Sequence, residues 1–285
     1  MNTQKTDIVP LGSLPRPTSG DDLATRVRTA LQTGAGVADE SAQRLQVAAT
    51  LDGADVATLD VDLTGVVVSP REAKVARERA ASFAPTSREP GTIRRLRVEA
   101  HPVTVSGAPV DVLVDVAGVP FEWVEGAQSE LGLAPVEPTE SAPVTGSARL
   151  SVSAAALEQA VERVATQVAR GHGLTLTKLD AQFAPAGSNG VAVTVHAQVR
   201  KGVLSATVEA GANATVDDAL GVTLSDVRAT SRNPVVAALL VAARSRVERY
   251  EGRRMDLAAS LPAGVRLTDV RVEVGTDLVL SARAH

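Results

Sequence analysis

The chain has 285 residues and a formal net charge of −4, with positive and negative side chains interspersed. It therefore carries no basic field that would attract nucleic acid, and three Phe, one Trp and one Tyr are too few to build a base-stacking platform. The absence of cysteine excludes disulfides and thiolate metal sites.

The N-terminal half is predicted to contain helices and strands over residues 19–125. Residues 1–18 are polar and contain three prolines and one glycine. They predict a disordered leader without an apolar export segment. A helix is predicted over 21–32 after the cap residue Ser19, and another over 69–83, where Ser, Pro and Glu form a start signal. Alternating apolar residues predict strands at 45–51, 59–63, 93–105 and 110–116.

Residues 126–146 are predicted to be a linker, because three prolines interrupt a polar stretch. The C-terminal half, 147–285, follows with apolar-striped helices predicted over 151–171 and 233–251. Strands are predicted at 174–184, 191–200, 203–217, 254–260, 264–274 and 277–284.

The segment 203–217 has the clearest strand pattern in the chain. Every even position from Leu204 to Val216 is apolar, and the odd positions are polar or glycine. At about 3.3 Å per residue such a strand approaches about 50 Å. In the predicted strand 174–184 the apolar phase changes between Leu176 and Leu179, which predicts a β-bulge, and bulges make long sheets coil. The fold class predicted is α+β, with a long, strongly coiled antiparallel sheet wrapped around long helices.

Two stretches of the second half resemble a known family. Residues 146–153, Gly-Ser-Ala-Arg-Leu-Ser-Val-Ser, look like the junction ahead of its second helix. Residues 255–257 and 261–272 look like its C-terminal signature, a Leu-Pro-x-Gly turn between two strands. The family is the actinobacterial phospholipid-binding group related to the lipomannan elongation enhancer, which is similar in architecture to tubular lipid-binding (TULIP) domains of the BPI type. The resemblance covers about residues 140–284 and implies an apolar groove, between helix and coiled sheet, that accepts acyl chains.

The leading hypothesis is therefore non-catalytic binding or shuttling of lipids, either phospholipids or fatty acids. Ten apolar side chains on the helices and the sheet are the predicted groove wall: Val161, Val164, Val168, Val193, Val195, Leu204, Val208, Leu239, Leu240 and Val247. Five arginines at the end of the last long helix are predicted either to complement the helix dipole or to dock headgroups or an anionic membrane: Arg244, Arg246, Arg249, Arg253 and Arg254.

Enzyme chemistry finds little support in the sequence. Asp60 and Asp62, about 6.6 Å apart along a strand, match the spacing of glycosidase carboxylates, but their alternation with apolar residues favours a solvated strand face. The four histidines lack metal-ligand spacing, and nucleophile-elbow and nucleotide-binding motifs are absent. No catalytic residue, cofactor or metal is predicted.

An interaction module is the alternative function. Such a protein would have a filled core and would bind a protein partner through an exposed sheet edge. Because no apolar leader precedes residue 20, the expected location is inside the cell, at most peripheral to a membrane surface.

Overall fold

The computed structural model describes residues 8–34, 36–69, 84–171, 173–202, 204–217, 221–233, 251–252, 254–256 and 267–284. The chain divides into two compact units. The first contains Met1–Leu150 with Leu261–Thr268 and Ala282–His285, and the second contains Ser151–Ser260 with Asp269–Ser281. The described residues are mostly β-strand with two α-helices, which confirms the predicted α+β class. The predicted helices over 69–83 and 233–251 lie, apart from their end residues, outside the described residues.

The first unit contains helix α1, Gly20–Gly34, and most of a ten-stranded mixed sheet. Its strands are β1 Val9–Ser13, β2 Gln46–Asp52, β3 Asp55–Asp62, β4 Val67–Val68, β5 Pro85–Val105, β6 Ala108–Gly126, β7 Glu130–Pro135 and β8 Thr145–Ser153. Strands β8, β6, β5, β3 and β2 are neighbours in that order.

The prediction of a long, strongly coiled antiparallel sheet is wrong, because neither sheet is strongly curled and the sheet of the first unit is mixed. Strands β3 and β4 both run parallel to β5, and the sheet is open and not strongly curled. The physical reason is the long connection between β3 and β5, because a parallel pair needs a crossover of a dozen or more residues. Strand alternation alone carries no information on strand direction.

The first unit has a buried apolar core. Ser19 Oγ accepts a hydrogen bond from the Asp22 amide at 3.2 Å and so caps α1, as predicted. Leu23 of α1 is 1% exposed. On β6, Phe121 and Trp123 meet edge to face with their centroids 5.2 Å apart, and Trp123 Nε1 donates to the Ala54 carbonyl at 2.8 Å. The one polar side-chain atom of this aromatic pair, Trp123 Nε1, is thus hydrogen-bonded within the core.

Two segments predicted to be irregular form strands. Strand β1 lies within the predicted leader and β7 within the predicted linker, and the two pair antiparallel, with Val9 opposite Leu133. Leu11 of β1 is 2% exposed, so the strand contributes to the core. This pairing joins residues more than a hundred positions apart, and short-range sequence patterns do not report such contacts.

The second unit contains helix α2, Ala154–Gly171, and a five-stranded antiparallel sheet. The strands of this sheet are β9 Thr175–Pro185, β10 Gly190–Lys201, β11 Leu204–Val216, β12 Gly221–Ser231 and β13 Arg254–Asp256. Their order is β13-β12-β11-β10-β9. The structure also describes strands β14 Leu267–Val274 and β15 Asp277–Ala284, which pair with each other.

The predicted bulge in β9 is confirmed. The pairing of β9 with β10 shifts register so that Leu176 lies opposite Val199 and Lys178 lies opposite Gln198. Thr177 is therefore the extra residue. The shift returns Leu176 to the same face of the sheet as Leu179.

Candidate functional site

The sheet of the second unit has one apolar and one polar face. Val195 of β10 lies opposite Ala181 of β9 and Ala210 of β11, whereas the next residue, His196, lies opposite Asp180 and Glu209. Residues opposite each other share a face, so the register extends both patterns across the sheet. The apolar side chains on the face containing Val195, called here the apolar face, are Leu176, Leu179, Ala181, Phe183, Val191, Val193, Val195, Ala197, Val199, Ala206, Val208, Ala210, Ala212, Ala214, Val216, Val222, Leu224 and Ala229. Pro185, Lys201 and Ser231 lie on the same face near its ends.

The apolar face is less completely buried than the core of the first unit. Among its described side chains, Ala197 and Val199 are buried at 9% and 8% exposure, and Val193, Val195 and Val208 are only half-buried. In the first unit, by comparison, Val56 and Phe121 are exposed by 1% or less. A broad apolar surface that protein atoms cover incompletely is typical of a binding surface.

Helix α2 packs against the edge strand β9. Ser153 Oγ accepts a hydrogen bond from the Ala156 amide at 3.2 Å and caps the helix, as the sequence predicts. Glu158 Oε1 accepts from the Ala181 amide of β9 at 3.3 Å. The carboxylate thereby satisfies a backbone donor at the edge of the sheet, where a foreign strand would otherwise pair.

The apolar stripe of α2 is only partly covered. Val161 is half-buried, whereas Val164 and Val168 are 62% and 57% exposed. The stripe is therefore displaced from the side of the helix that packs on β9, and its C-terminal valines face outward. The sequence predicts the stripe but cannot say which part of it packs.

The structure brings three predicted wall residues together, because Val193, Val195 and Val208 all lie on the apolar face. Leu204 occupies the first position of β11, opposite Lys201. The other predicted wall residues, Leu239, Leu240 and Val247, lie outside the described residues, as do the arginines Arg244, Arg246, Arg249 and Arg253.

Arg254 is the described member of the predicted arginine cluster. It lies on β13 and forms a bidentate ion pair with Asp217, with Nε 2.9 Å from Oδ2 and Nη2 3.2 Å from Oδ1. Planar pairing of this kind fixes a guanidinium in one orientation. The pair between Arg254 and Asp217 therefore links β13 to the end of β11.

The sequence patterns did not identify every residue of the apolar face as part of the site. Leu179, Ala181 and Phe183 of β9 fall in a predicted strand, but they join the site only through their pairing with β10. The signal that could have found them is the turn between β9 and β10 around Gly190, because a tight hairpin fixes the register of both strands.

The described residues contain no group of three or more His, Asp or Glu placed to hold a metal ion. Depressions on α2 and on the polar face of the sheet are lined by polar side chains, including Gln167 and Gln198, and do not suit an acyl chain. None of the helices that the structure describes is long and apolar enough to cross a membrane.

Comparison with known proteins identifies the family. No match was found among curated proteins or among solved structures. A family model described as LmeA-like phospholipid-binding matches residues 84–283, which is well over half of the chain and includes α2 and the whole apolar face. The chain therefore belongs to the LmeA-like phospholipid-binding family.

Proposed function

We propose that this protein binds phospholipid without catalysis and that the acyl chains lie on the apolar face of the second unit. The observation that carries the proposal is the register of β9 to β12, which brings Val, Ala and Leu onto one face where Val193, Val195 and Val208 stay half-buried. Covering such a surface with hydrocarbon gains about 25 cal/mol per Å² of apolar area removed from water.

The dimensions of the apolar face support this proposal. Along β10 it runs from Val191 to Val199, a distance of roughly 26 Å at about 3.3 Å per residue. The hydrocarbon core of a bilayer is about 30 Å thick, so the chains of one leaflet span about 15 Å. An acyl chain laid along the strands therefore finds apolar contacts over its whole length.

The proposed site extends to the other predicted wall residues. Val161 of α2 belongs to it, as do Leu204 and the positions Leu239, Leu240 and Val247, and Val164 and Val168 lie at its outer margin. The arginines Arg244, Arg246, Arg249 and Arg253 would hold the headgroup, whereas Arg254, also predicted for this role, is already paired with Asp217. A closed groove, a TULIP-like enclosure and shuttling between membranes are parts of this proposal that rest on the family resemblance.

The alternative of a protein-interaction module has less support. Its sequence argument was an exposed sheet edge, and Glu158 satisfies the Ala181 amide at the edge of β9. A strand adding to β9 would have to displace that carboxylate.

Native mass spectrometry of delipidated protein incubated with dispersed phospholipid tests the proposal. We expect near-stoichiometric uptake by the wild type. Val195→Asp places a charge on the apolar face and should abolish uptake. Thr194→Asp, its matched control, places the same charge on the opposite face of the same strand and should retain uptake.

A filling variant separates loss of the site from loss of the fold. Ala210 lies opposite Val195, and Ala210→Phe would occupy the space above the apolar face without adding charge. We expect reduced uptake with unchanged or raised thermal stability. Stoichiometric uptake by both Val195→Asp and Ala210→Phe would contradict the placement of the site, and a wild type that takes up no phospholipid would contradict the function.

A further inference from the structure

Four cations lie at one end of the second unit, and this set, Arg170, Arg200, Lys201 and Arg232, is called here the basic rim. Arg200 lies near the end of β10, opposite Thr175 at the start of β9, and Lys201 ends β10 opposite the start of β11. Arg232 follows the last residue of β12. Arg170 is in the last turn of α2, which leads into β9.

The cations of the basic rim have no ion-pair partner among the described residues. All four side chains are exposed. The acidic residues nearest in register, Asp180 and Glu209, lie on the row of His196, farther along the polar face. At the opposite end of the strands, Asp217 and Arg254 neutralise each other.

The most exposed large apolar side chains of the described residues lie toward the same end. They are Val164 and Val168, one helical turn apart in the C-terminal half of α2 and 62% and 57% exposed. Val168 and Arg170 of the basic rim both lie in the last turn of α2, on different sides of the helix. Exposed apolar and long cationic side chains at the same end of a domain suit the boundary between headgroups and acyl chains, where Arg and Lys can reach phosphates while their stems stay in apolar surroundings.

We infer that this end of the second unit docks on the surface of an anionic phospholipid bilayer. The basic rim would contact the headgroups, and Val164 and Val168 would insert just below them. The inference goes beyond lipid binding itself, because it assigns a membrane contact to the basic rim, whose Arg200 lies on the polar face of the sheet and away from the acyl-chain site. It also places the bilayer at one end of strands β9 to β12, along which the acyl chains would lie.

Sedimentation with vesicles tests the inference. We expect wild-type protein to bind vesicles of equimolar phosphatidylcholine and phosphatidylglycerol, to bind pure phosphatidylcholine vesicles much more weakly, and to lose binding as salt is raised. A double variant, Arg200→Glu with Arg232→Glu, should weaken binding roughly 25-fold or more, at about fivefold per cation. Arg271→Glu, an exposed charge reversal on β14, is the matched control and should bind like the wild type.

A second variant tests the apolar contact. Val164→Ser with Val168→Ser should weaken binding to the anionic vesicles while preserving the preference for them over phosphatidylcholine. Vesicle binding by this variant equal to that of the wild type would overturn the insertion of α2.

Uptake of dispersed short-chain phospholipid, measured in parallel, separates the two proposals. The basic-rim double variant should take up dispersed lipid like the wild type, which also shows that it is folded. A wild type that takes up dispersed lipid but ignores anionic vesicles would overturn the docking inference and leave the proposed function standing. Equal binding of both vesicle types, or unchanged binding by the double variant, would also overturn it. A wild type that takes up no dispersed lipid would instead refute the proposed function.

Discussion

Asp217 at the end of β11 holds the guanidinium of Arg254 on β13 through two hydrogen bonds, 2.9 Å from Nε and 3.2 Å from Nη2. The same carboxylate accepts the amide of Gly221, at the start of β12, at 2.7 Å. One side chain thus connects three strands at this end of the sheet. Both partners are about half exposed, at 49% and 48%, so solvent screening limits the strength of the pair.

Asp217→Asn should lower the free energy of unfolding of the second unit by about 0.5–1 kcal/mol, because an exposed bidentate pair is lost. Urea denaturation measures the loss, and hydrogen exchange should show faster opening of the β13 amides. Asp226→Asn is the matched control. Asp226 accepts a hydrogen bond from Asn213 at 2.8 Å and has a φ of 52°, a conformation that Asn tolerates well. Equal destabilisation by the two substitutions would contradict the role of the ion pair.

In the first unit, Arg95 forms a bidentate pair with Asp115 across β5 and β6, with Nε 3.1 Å from Oδ1 and Nη2 2.7 Å from Oδ2. Hydrogen bonding to the Arg95 guanidinium lowers the pKa of Asp115 below its ordinary value of 3.8. A carboxyl whose pKa is lower in the folded state stabilises the fold above the unfolded pKa, and this contribution is lost as pH falls through the folded pKa.

Carbon-13 NMR titration of the Asp115 carboxyl should therefore give a midpoint below 3.8 in the wild type. In Arg95→Gln the pKa of Asp115 should rise toward its ordinary value. Arg97→Gln, in which the nearby cation that pairs with Glu99 at 2.6 Å is removed, should change the Asp115 midpoint less. A midpoint that stays the same in Arg95→Gln would contradict the assigned cause of the shift.

Trp123, the sole tryptophan, is 2% exposed in the core of the first unit, with Arg16 5.4 Å above its ring. Its fluorescence should be unchanged on addition of phospholipid if the acyl chains bind to the second unit. A tryptophan introduced on the apolar face by Val195→Trp, in a Trp123→Phe background, should shift to shorter wavelength with lipid. A lipid-dependent change of Trp123 in the wild type would place the ligand elsewhere.

Much of the second unit could be predicted from the sequence, because its information is local. The alternation from Leu204 to Val216 predicted β11, the cap at Ser153 predicted α2, and the phase change after Leu176 predicted the bulge. Each signal comes from residues a few positions apart, within the range over which side-chain periodicity is informative.

The remaining features depend on contacts between distant residues. The pairing of β1 with β7 and the parallel pairing of β3 with β5 have no local signature. The candidate site has the same limitation. Helical periodicity identifies Val161, Val164 and Val168 as one stripe, yet only packing on β9 determines that Val164 and Val168 stay exposed.

The bulge at Thr177 leads to a final prediction. Leu176 lies opposite Val199, and Lys178 lies opposite Gln198. Deleting Thr177 would make these two pairs consecutive on both strands, and every side chain would keep its face of the sheet. The deletion removes a hydrogen bond from Thr177 Oγ1 to the Gln198 carbonyl, 3.1 Å long and exposed, which contributes about 1 kcal/mol. We expect Tm to fall by less than about 4 °C.

Deleting Ala181, the matched control, would move part of β9 to the opposite face, exposing either Leu179 or Phe183 and abolishing lipid uptake. A similar loss of Tm in both deletions would show that Thr177 is required for the register and is not an insertion that the sheet tolerates.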